Sequence, residues 1–287
     1  RIGFFAEIFY DFSNAVLQFQ AYLFKAFSCD FNCEVLTAVG LLTVLLHIHK
    51  TDRQHTRIWK ETHMAKRGVI IVAGGSGRRM GGALPKQFMM LGNEPILVRS
   101  INRIHEALPA AEIVVVLPKE HVELWRNIAA RFEVAEHKIA LGGQERFHSV
   151  RNGLQALSQD VEYVGIHDGV RPLASKKLII RLMLEAEEHP AVIPVVAPPD
   201  SYRIVEGEHS HIIDRSTLRI VQTPQIFAAP VLRAAYDTEF RSEFTDDASV
   251  VEYSGEKVSL CEGDPLNIKI TTPNDIVLAE AIMAMDK

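Results

Sequence analysis

Short apolar runs rich in valine and isoleucine alternate along this chain with longer segments of helical periodicity. Strands that are apolar on both faces belong to sheets that are covered on both sides, and helical connections make such sheets mostly parallel. The sequence therefore predicts an α/β fold with a mostly parallel, twisted sheet and helices on both of its faces. The predicted strands are 69–72, 113–117, 138–141, 163–166 and 191–195, and the predicted helices are 120–132, 146–157 and 177–188.

A glycine-rich loop follows the first of these strands. Residues 73–80 read AGGSGRRM, and residues 85–87 read PKQ. Glycines let backbone N–H groups turn toward a ligand, and Arg79 and Lys86 add positive charge, so the segment is suited to nucleotide phosphates. It is not a Walker A motif, because no Gly-Lys-Ser/Thr closes it, nor a dinucleotide fingerprint, because Met80 replaces the third glycine. A glycine turn with solvated arginines is the alternative.

The composition limits the classes of partner. The chain has 287 residues and a formal net charge of -5, whereas a general nucleic-acid binder carries excess positive charge. Any basic site must therefore be local, and we expect no nucleic-acid partner. The three cysteines, Cys29, Cys33 and Cys261, are too few for a disulfide framework, which suits a reducing cytoplasm.

The first 63 residues differ in composition from the rest of the chain. Eight of the 14 phenylalanines lie in the first 31 residues, and none of the 7 methionines precedes Met64. We interpret residues 1–63 as an N-terminal extension of unknown role, lying upstream of the natural start if translation begins at Met64. The apolar run 35–48 is shorter than the roughly 20 residues that span a bilayer. Residues 64–287 are predicted to form one domain without a membrane association.

One segment interrupts the alternation of strands and helices. Residues 200–215 contain two strand-like pieces around a Glu-Gly-Glu turn, which predicts a β-hairpin arm. Because an isolated hairpin is only marginally stable in water, we expect the arm to pack against another surface. A second subunit and the arm's own domain are both open as that surface.

Two further motifs follow predicted strands, at the sheet edge where ligands collect in open α/β folds. Asp168, next to Gly169, is placed to bind Mg²⁺ together with substrate phosphates. Arg171 is expected to pair with Asp168 or with a phosphate, although a structural salt bridge explains the two residues nearly as well. The glycine turn at 142–143 opens a helix, on which the Ser149 hydroxyl is placed to read a base edge.

A lysine near the C-terminus is the last candidate. Lys269 lies between Ile268 and Ile270, in what we predict to be a short strand before a helix that begins near Pro273. Alternation along a strand directs Lys269 away from the isoleucines. It faces either the phosphate pocket or solvent.

Five separated motifs, taken in order, resemble the 2-C-methyl-D-erythritol 4-phosphate cytidylyltransferase family of non-mevalonate isoprenoid biosynthesis. The resemblance covers Met64 to Lys287. It implies a Rossmann-like nucleotidyltransferase domain with a protruding β-arm that exchanges between the protomers of a homodimer. It also implies that the substrate's 4-phosphate attacks the α-phosphorus of CTP, with Mg²⁺ assistance and release of pyrophosphate. The motifs are 73–80 with 85–87, 142–150, 167–172, 222–225 and 267–269.

The resemblance implies a role for each matching residue. The catalytic residues, which stabilise charge on the α-phosphate, are expected to be Arg79, Lys86 and Lys269. Nucleotide binding is expected from Ala73, Gly74, Gly75, Gly77, Gly143, Ser149 and Asp168, of which Asp168 is also the expected metal ligand. The polyol phosphate substrate is expected to contact Asp168, Arg171, Asp200, Ser201, Arg215 and Thr223, the arm residues acting across the dimer.

Two other functions remain open from the sequence. A ribitol-5-phosphate cytidylyltransferase would use the same CTP chemistry, and only the arm and the surroundings of Thr223 would separate the two enzymes. A non-catalytic nucleotide sensor on the same fold is the second alternative. The presence of Arg79, Lys86, Asp168 and Lys269 argues against a sensor, which does not need them.

Overall fold

The computed structural model describes residues 65–75 and 84–285. In this part of the chain the α-helices are α1 (Ile96–Ala107), α2 (Val122–Ala129), α3 (Arg146–Ala156), α4 (Lys176–Glu188), α5 (Ala229–Ala235), α6 (Asp247–Tyr253) and α7 (Pro273–Met285). The β-strands are β1 (Arg67–Val72), β2 (Met90–Leu91), β3 (Glu94–Pro95), β4 (Glu112–Leu117), β5 (Lys138–Leu141), β6 (Tyr163–Asp168), β7 (Ala191–Val196), β8 (Tyr202–Glu206), β9 (His209–Ile213), β10 (Ile220–Val221), β11 (Gln225–Ala228) and β12 (Ser259–Glu262).

An eight-stranded sheet forms the centre of the fold. Its order is β10-β7-β11-β6-β1-β4-β5, and β12 pairs with β7. Strand β1 is parallel to both of its neighbours, β4 and β6, and β5 continues the parallel arrangement beyond β4. Strands β10 and β11 run antiparallel to the strands they pair with. The predicted mostly parallel α/β sheet is therefore confirmed.

Helices cover both faces of the sheet, as the apolar strands predict. Val69 and Ile71 of β1 pack on the face that holds α1, α2 and α4, whereas Ile70 packs on the face that holds α3, α5 and α6. Each of these three side chains is almost fully buried, and each such burial contributes about 1.5–3 kcal/mol. The carboxyl ends of the central parallel strands therefore meet at one well-supported edge.

The helix predicted over 120–132 is shorter in the structure. A 3-10 turn at Lys119–His121 precedes α2, which ends at Ala129. Each helix in the described ranges is too short or too polar to cross a membrane.

A third apolar cluster joins the C-terminal helix to the loop after β6. It contains Leu91, Val170, Ile270 and Ile282, and the Ile270 N–H donates a hydrogen bond to the Val170 carbonyl at 2.9 Å. The prediction of a strand around Lys269 is wrong, because residues 267–270 have no regular secondary structure. This backbone bond, the burial of Ile270 and hydrogen bonds from Asn267 to Thr223 and from Arg171 to Asn267 hold the segment in place instead of a strand ladder.

The predicted arm is a hairpin with its own two-stranded sheet. Strands β8 and β9 pair antiparallel from Tyr202 with Ile213 to Glu206 with His209. Gly207 lies in the turn with a φ of 61°, a conformation that glycine adopts without steric cost. Residues 200–212 are all exposed, so the hairpin protrudes from the sheet domain.

Candidate active site

A pocket of about 300 Å³ lies where β1, β4, β5 and β6 end. Since these four strands are mutually parallel, the loops that follow them share one edge of the sheet, where ligands bind in such folds. The pocket gathers residues from four of the five motifs identified in the sequence, and 222–225 is the motif that does not line it. Of the predicted site residues, those that line it are Ala73, Gly74, Gly75, Lys86, Gly143, Ser149, Asp168 and Lys269.

Backbone hydrogen bonds anchor the start of the glycine-rich loop. The Ala73 N–H donates to the Val116 carbonyl at 3.0 Å, which ties the loop to β4. The side-chain amide of Gln87 donates to the Ala73 carbonyl at 2.8 Å. Because Gln87 directly follows Lys86, this bond also holds the lysine segment beside the loop.

Gly143 and Ser149 form a second wall of the pocket. A Cβ atom on Gly143 would lie 2.3 Å from the Cβ of His148, so a side chain at this position would force the turn away from the helix. The Gly143 N–H donates to the Ser149 hydroxyl at 3.1 Å, and that hydroxyl donates to the Glu145 carbonyl at 3.2 Å. The turn is thereby held against the first turn of α3, whose N-terminal end favours anions.

A buried carboxylate faces several cations in the pocket. Asp168 Oδ2 lies 3.0 Å from Lys269 Nζ and 3.2 Å from Arg171 Nε. Burial by itself would raise the pKa of Asp168, but the positive charges of Lys269, Arg146 and Arg171 outweigh it and hold the pKa well below its usual range. Asp168 is therefore ionised at neutral pH.

The two described lysines predicted to be catalytic both reach the pocket. Lys86 is buried in a 3-10 turn, Lys86–Phe88, and its Cε would lie 3.5 Å from a Cβ atom on Gly75. The Lys269 side chain is 43% exposed and lies on the pocket side of its segment. Of the two directions left open by the sequence, Lys269 therefore takes the one toward the pocket.

Arg171 and Thr223 do not line the pocket and instead order the loop that carries Asp168. Arg171 Nη1 donates to the Asn267 carbonyl at 2.7 Å, which joins this loop to the segment of Lys269. The Thr223 hydroxyl accepts a hydrogen bond from the Asp168 N–H at 3.0 Å and donates to His167 Nδ1 at 3.2 Å. Both residues thus hold Asp168 in position without lining the pocket themselves.

His167 completes this network as a neutral side chain. Its Nε2 lies 3.1 Å from the Arg171 carbonyl, which only accepts, so Nε2 carries the proton and Nδ1 accepts from Thr223. Burial lowers the pKa of His167 to about 4. These contacts give His167 a structural role in the loop around Asp168.

The predicted arm residues lie away from the pocket. Asp200, Ser201 and Arg215 are exposed at the foot of the hairpin, and Arg215 Nη1 donates to the Pro199 carbonyl at 2.5 Å. Arg215 lines a separate cleft of about 610 Å³ together with Arg219. Within the described ranges, the structure therefore does not bring the arm residues together with Asp168.

Arg146 is a pocket residue that the sequence analysis missed. It is the first residue of α3 and lines the pocket beside Gln144 and Glu145. Its position directly after a glycine turn that opens a helix was the available signal.

The predicted residues Gly77 and Arg79 lie outside the described residues, as does the segment 1–63.

The pocket offers one carboxylate that fits a magnesium ion. In the described part of the chain, the Asp168 carboxylate contacts Arg171 and Lys269 through Oδ2, which leaves Oδ1 for another ligand. Those same ranges contain no group of three or more His, Cys, Asp and Glu side chains able to hold a metal without further ligands. Because Mg²⁺ is commonly bound by one or two carboxylates plus substrate phosphates, Asp168 suits an ion that arrives with a nucleotide.

Comparison with known proteins agrees with this geometry. Residues 68–285 match the family described as IspD, 2-C-methyl-D-erythritol 4-phosphate cytidylyltransferase. A protein of that name from Bacteroides fragilis is 47% identical over 219 residues, which are 76% of this chain and 99% of the relative. Another, from Geobacillus kaustophilus, is 40% identical over 221 residues, 75% of this chain and 96% of the relative.

Solved structures match the fold as well. The 4-diphosphocytidyl-2C-methyl-D-erythritol synthase of Anaerococcus prevotii has a TM-score of 0.66 and 29% identity, covering 77% of this chain and 96% of its own. The 2-C-methyl-D-erythritol 4-phosphate cytidylyltransferase of Thermus thermophilus has a TM-score of 0.60 and 31% identity, covering 76% and 98%. The resemblance inferred from five short motifs is confirmed across the sheet domain: the chain belongs to the 2-C-methyl-D-erythritol 4-phosphate cytidylyltransferase family.

Proposed function

We propose that this chain transfers the cytidylyl group of CTP to 2-C-methyl-D-erythritol 4-phosphate in non-mevalonate isoprenoid biosynthesis. An oxygen of the substrate's 4-phosphate attacks the α-phosphorus of CTP, the bond from that phosphorus to the bridging oxygen breaks, and pyrophosphate leaves. The products are 4-diphosphocytidyl-2-C-methyl-D-erythritol and pyrophosphate. The observation that carries the proposal is the placement of Lys86, Asp168 and Lys269 around one glycine-lined pocket.

The glycine-lined walls are proposed to hold the cytidine. Ala73, Gly74 and Gly75 present backbone to the pocket, and Gly77 continues the same loop in the sequence. Gly143 and Ser149 form the facing turn, where their mutual hydrogen bond fixes the wall before a ligand arrives. Small residues in both walls leave a flat base and a ribose room to approach the backbone.

The cations are proposed to stabilise the transition state. Transfer to a phosphate needs little covalent help, so fixed positive charge around the α-phosphate supplies most of the catalysis. Lys86 and Lys269 line the pocket, and we assign Arg79 to the same task because it follows the glycines of the loop. Asp168 and Arg171 hold Lys269 and its segment in place.

Asp168 is proposed to hold Mg²⁺ through Oδ1, with phosphate oxygens and water as the other ligands. When bound, the ion would neutralise charge on the triphosphate and on the leaving pyrophosphate. Lys269, Arg146 and Arg171 keep the carboxylate ionised for this task, since their charges lower the pKa of Asp168.

The acceptor phosphate is proposed to bind between the Asp168 loop of one protomer, which Arg171 and Thr223 hold in position, and arm residues of a second copy of the chain. Asp200, Ser201 and Arg215 contribute from the arm. Two observations support an arm that acts across a homodimer. The arm residues lie outside the pocket of their own sheet domain, and the hairpin exposes Val205 and Ile212 at 71% and 70%.

We further propose that residues 64–287 are the catalytic domain and that residues 1–63 are a separate extension.

The described part of the chain contains a single cysteine, Cys261, with a free thiol. This composition supports a reducing cytoplasm as the place of the reaction.

The function is tested by measuring pyrophosphate release from purified protein with CTP and Mg²⁺. We expect turnover with 2-C-methyl-D-erythritol 4-phosphate and little or none with ribitol 5-phosphate. Turnover of ribitol 5-phosphate alone would replace the proposed acceptor, while binding of CTP without pyrophosphate release from either acceptor would identify a nucleotide sensor.

A further inference from the structure

A buried acidic residue on a distant helix holds the guanidinium of Arg146. Arg146 Nη2 lies 2.6 Å from Asp247 Oδ2, although Asp247 begins α6 on the far side of the arm in the sequence. The Arg146 side chain is 30% exposed, whereas the Asp247 side chain is 0% exposed. One edge of the Arg146 guanidinium thus contacts the buried Asp247 carboxylate, and Arg146 also lines the nucleotide pocket.

A tyrosine fixes the other oxygen of the same carboxylate. The Tyr236 hydroxyl donates to Asp247 Oδ1 at 2.7 Å, and both side chains are buried. With one oxygen bonded to Tyr236 and the other to Arg146, the carboxylate has little freedom to rotate. In the described ranges, the Arg146 guanidinium makes its hydrogen bond to Asp247. The remaining N–H groups of the guanidinium are therefore available to a ligand.

The electrostatics match a guanidinium held for an anionic ligand. Burial would lower the pKa of Arg146, but attraction to Asp247 outweighs this effect and raises it, with a further contribution from Asp168. A buried ion pair is weak evidence for stability, because the cost of desolvating both charges offsets their attraction. A fixed geometry is therefore the more direct use of this pair.

The neighbouring carboxylate shows that Asp247 is not needed to cap α6. Asp246 is the N-cap residue, and its carboxylate accepts from the Ser249 N–H at 2.9 Å and from Gln225 Nε2 at 2.8 Å. Asp246 makes no bond to Arg146 in the described structure. The two adjacent aspartates thus have different roles: Asp246 stabilises the end of α6, and Asp247 contacts Arg146.

We propose that Asp247, supported by Tyr236, is a positioning residue that aims Arg146 at the triphosphate of CTP. The inference rests on the proposed function, because it takes CTP as the ligand of the pocket. Asp247 itself does not line the pocket and acts through Arg146. Its loss should weaken nucleotide binding in a protein that is still folded.

The test measures the Kd of CTP with Mg²⁺ by calorimetry for wild-type protein and for Asp247→Asn, Tyr236→Phe and Asp246→Asn. Asp247→Asn keeps the size of the side chain and removes its charge, so the Kd should rise about tenfold, a typical coupling between contacting groups. Tyr236→Phe keeps the charge and should raise the Kd by a smaller factor. Asp246→Asn is the matched control and should lower the melting temperature without changing the Kd.

A double-mutant cycle separates positioning from a purely structural role. In an Arg146→Met background, Asp247→Asn should cause no further rise in the Kd, because the residue it positions is gone. A Kd for Asp247→Asn equal to that of the wild type, or the same rise with and without Arg146, overturns the proposal. If Asp247→Asn does not fold, Tyr236→Phe with and without Arg146→Met decides in the same way.

The wild-type measurements keep this proposal distinct from the function itself. If wild-type protein binds CTP but does not release pyrophosphate with 2-C-methyl-D-erythritol 4-phosphate, the proposed reaction fails and the role of Asp247 in nucleotide binding is still decided by the Kd values. If wild-type protein does not bind CTP, both proposals fail.

Discussion

Lys269 Nζ and Asp168 Oδ2 lie 3.0 Å apart, joining the segment before the C-terminal helix to the end of β6. The contact gives the lysine a defined position at the pocket and keeps the carboxylate charged despite its burial. Removing either partner should therefore change the other, which makes Asp168 a sensitive position for mutation.

Asp168→Asn should reduce kcat by about a hundredfold or more, as expected for loss of a preorganised charge at a reacting phosphate. It should also raise the Mg²⁺ concentration needed for half of the maximal rate, because the amide is a poorer ligand than the carboxylate. Titration of Mg²⁺ at saturating CTP measures both effects, and EDTA should abolish the wild-type activity. An unchanged Mg²⁺ requirement in the variant would rule out Asp168 as the metal ligand.

Lys86→Ala should fold normally and lose about two orders of magnitude in kcat, since one fixed cation is removed from the proposed α-phosphate site. Lys177→Ala on the exposed side of α4 changes the net charge equally and should leave kcat unchanged. Steady-state pyrophosphate assays compare the two variants. Near wild-type turnover by Lys86→Ala would remove the catalytic role from this residue.

The buried His167 should make the protein less stable at acidic pH. An unfolded chain binds a proton at His167 near pH 6.5, whereas the folded chain does so near pH 4. The free energy of unfolding therefore has its full value above pH 6.5. Protonation of His167 in the unfolded chain lowers this free energy, by on the order of 3 kcal/mol, as the pH drops toward 4. Urea unfolding at several pH values should show this loss, and His167→Asn should show a smaller dependence over the same range. Equal slopes for the two proteins would contradict the assignment.

Gly143→Ala should destabilise the protein and weaken CTP binding. The new methyl group would lie 2.3 Å from the Cβ of His148, and relieving such a clash typically costs about 1–3 kcal/mol. Gly74→Ala is the control for stability, because its nearest neighbour would be 3.9 Å away. Thermal unfolding should show a lower midpoint for Gly143→Ala only.

Val205→Glu should convert a dimer into monomers without unfolding the sheet domain. Val205 and Ile212 lie on one face of the hairpin, since Val205 pairs with Ser210 and Arg203 with Ile212. A charge in place of the exposed Val205 side chain opposes burial of this face against a second copy. Sedimentation velocity should show a dimer for the wild type and a monomer for the variant. A dimer in both would place the interface elsewhere.

The central fold was predictable because its information is local. The runs of valine and isoleucine in β1, β4 and β7 mark strands buried on both faces, and the structure contains strands at these positions. For Lys269 the sequence left open whether the side chain faces the pocket or solvent, and the predicted strand is wrong. The alternation around Ile268 and Ile270 follows from their contacts with the C-terminal cluster rather than from pairing with another strand.

The pocket residue that was missed depends on contacts distant in sequence. Nothing near Arg146 indicates a buried partner, because Asp247 is brought to it by the packing of α6. The role of Thr223 was also difficult to predict from the sequence. Its hydroxyl is engaged with the Asp168 N–H and His167, an arrangement that a motif alone does not distinguish from contact with a ligand.

The separate sheet of the hairpin divides the molecule by task. The walls proposed for cytidine are built into the parallel sheet and its buried helices, while three of the residues proposed for the acceptor, Asp200, Ser201 and Arg215, flank β8 and β9, which in the described ranges pair only with each other. Selection can therefore reshape the preference for one polyol over another by exchanging a short protruding ribbon, leaving the nucleotide machinery untouched.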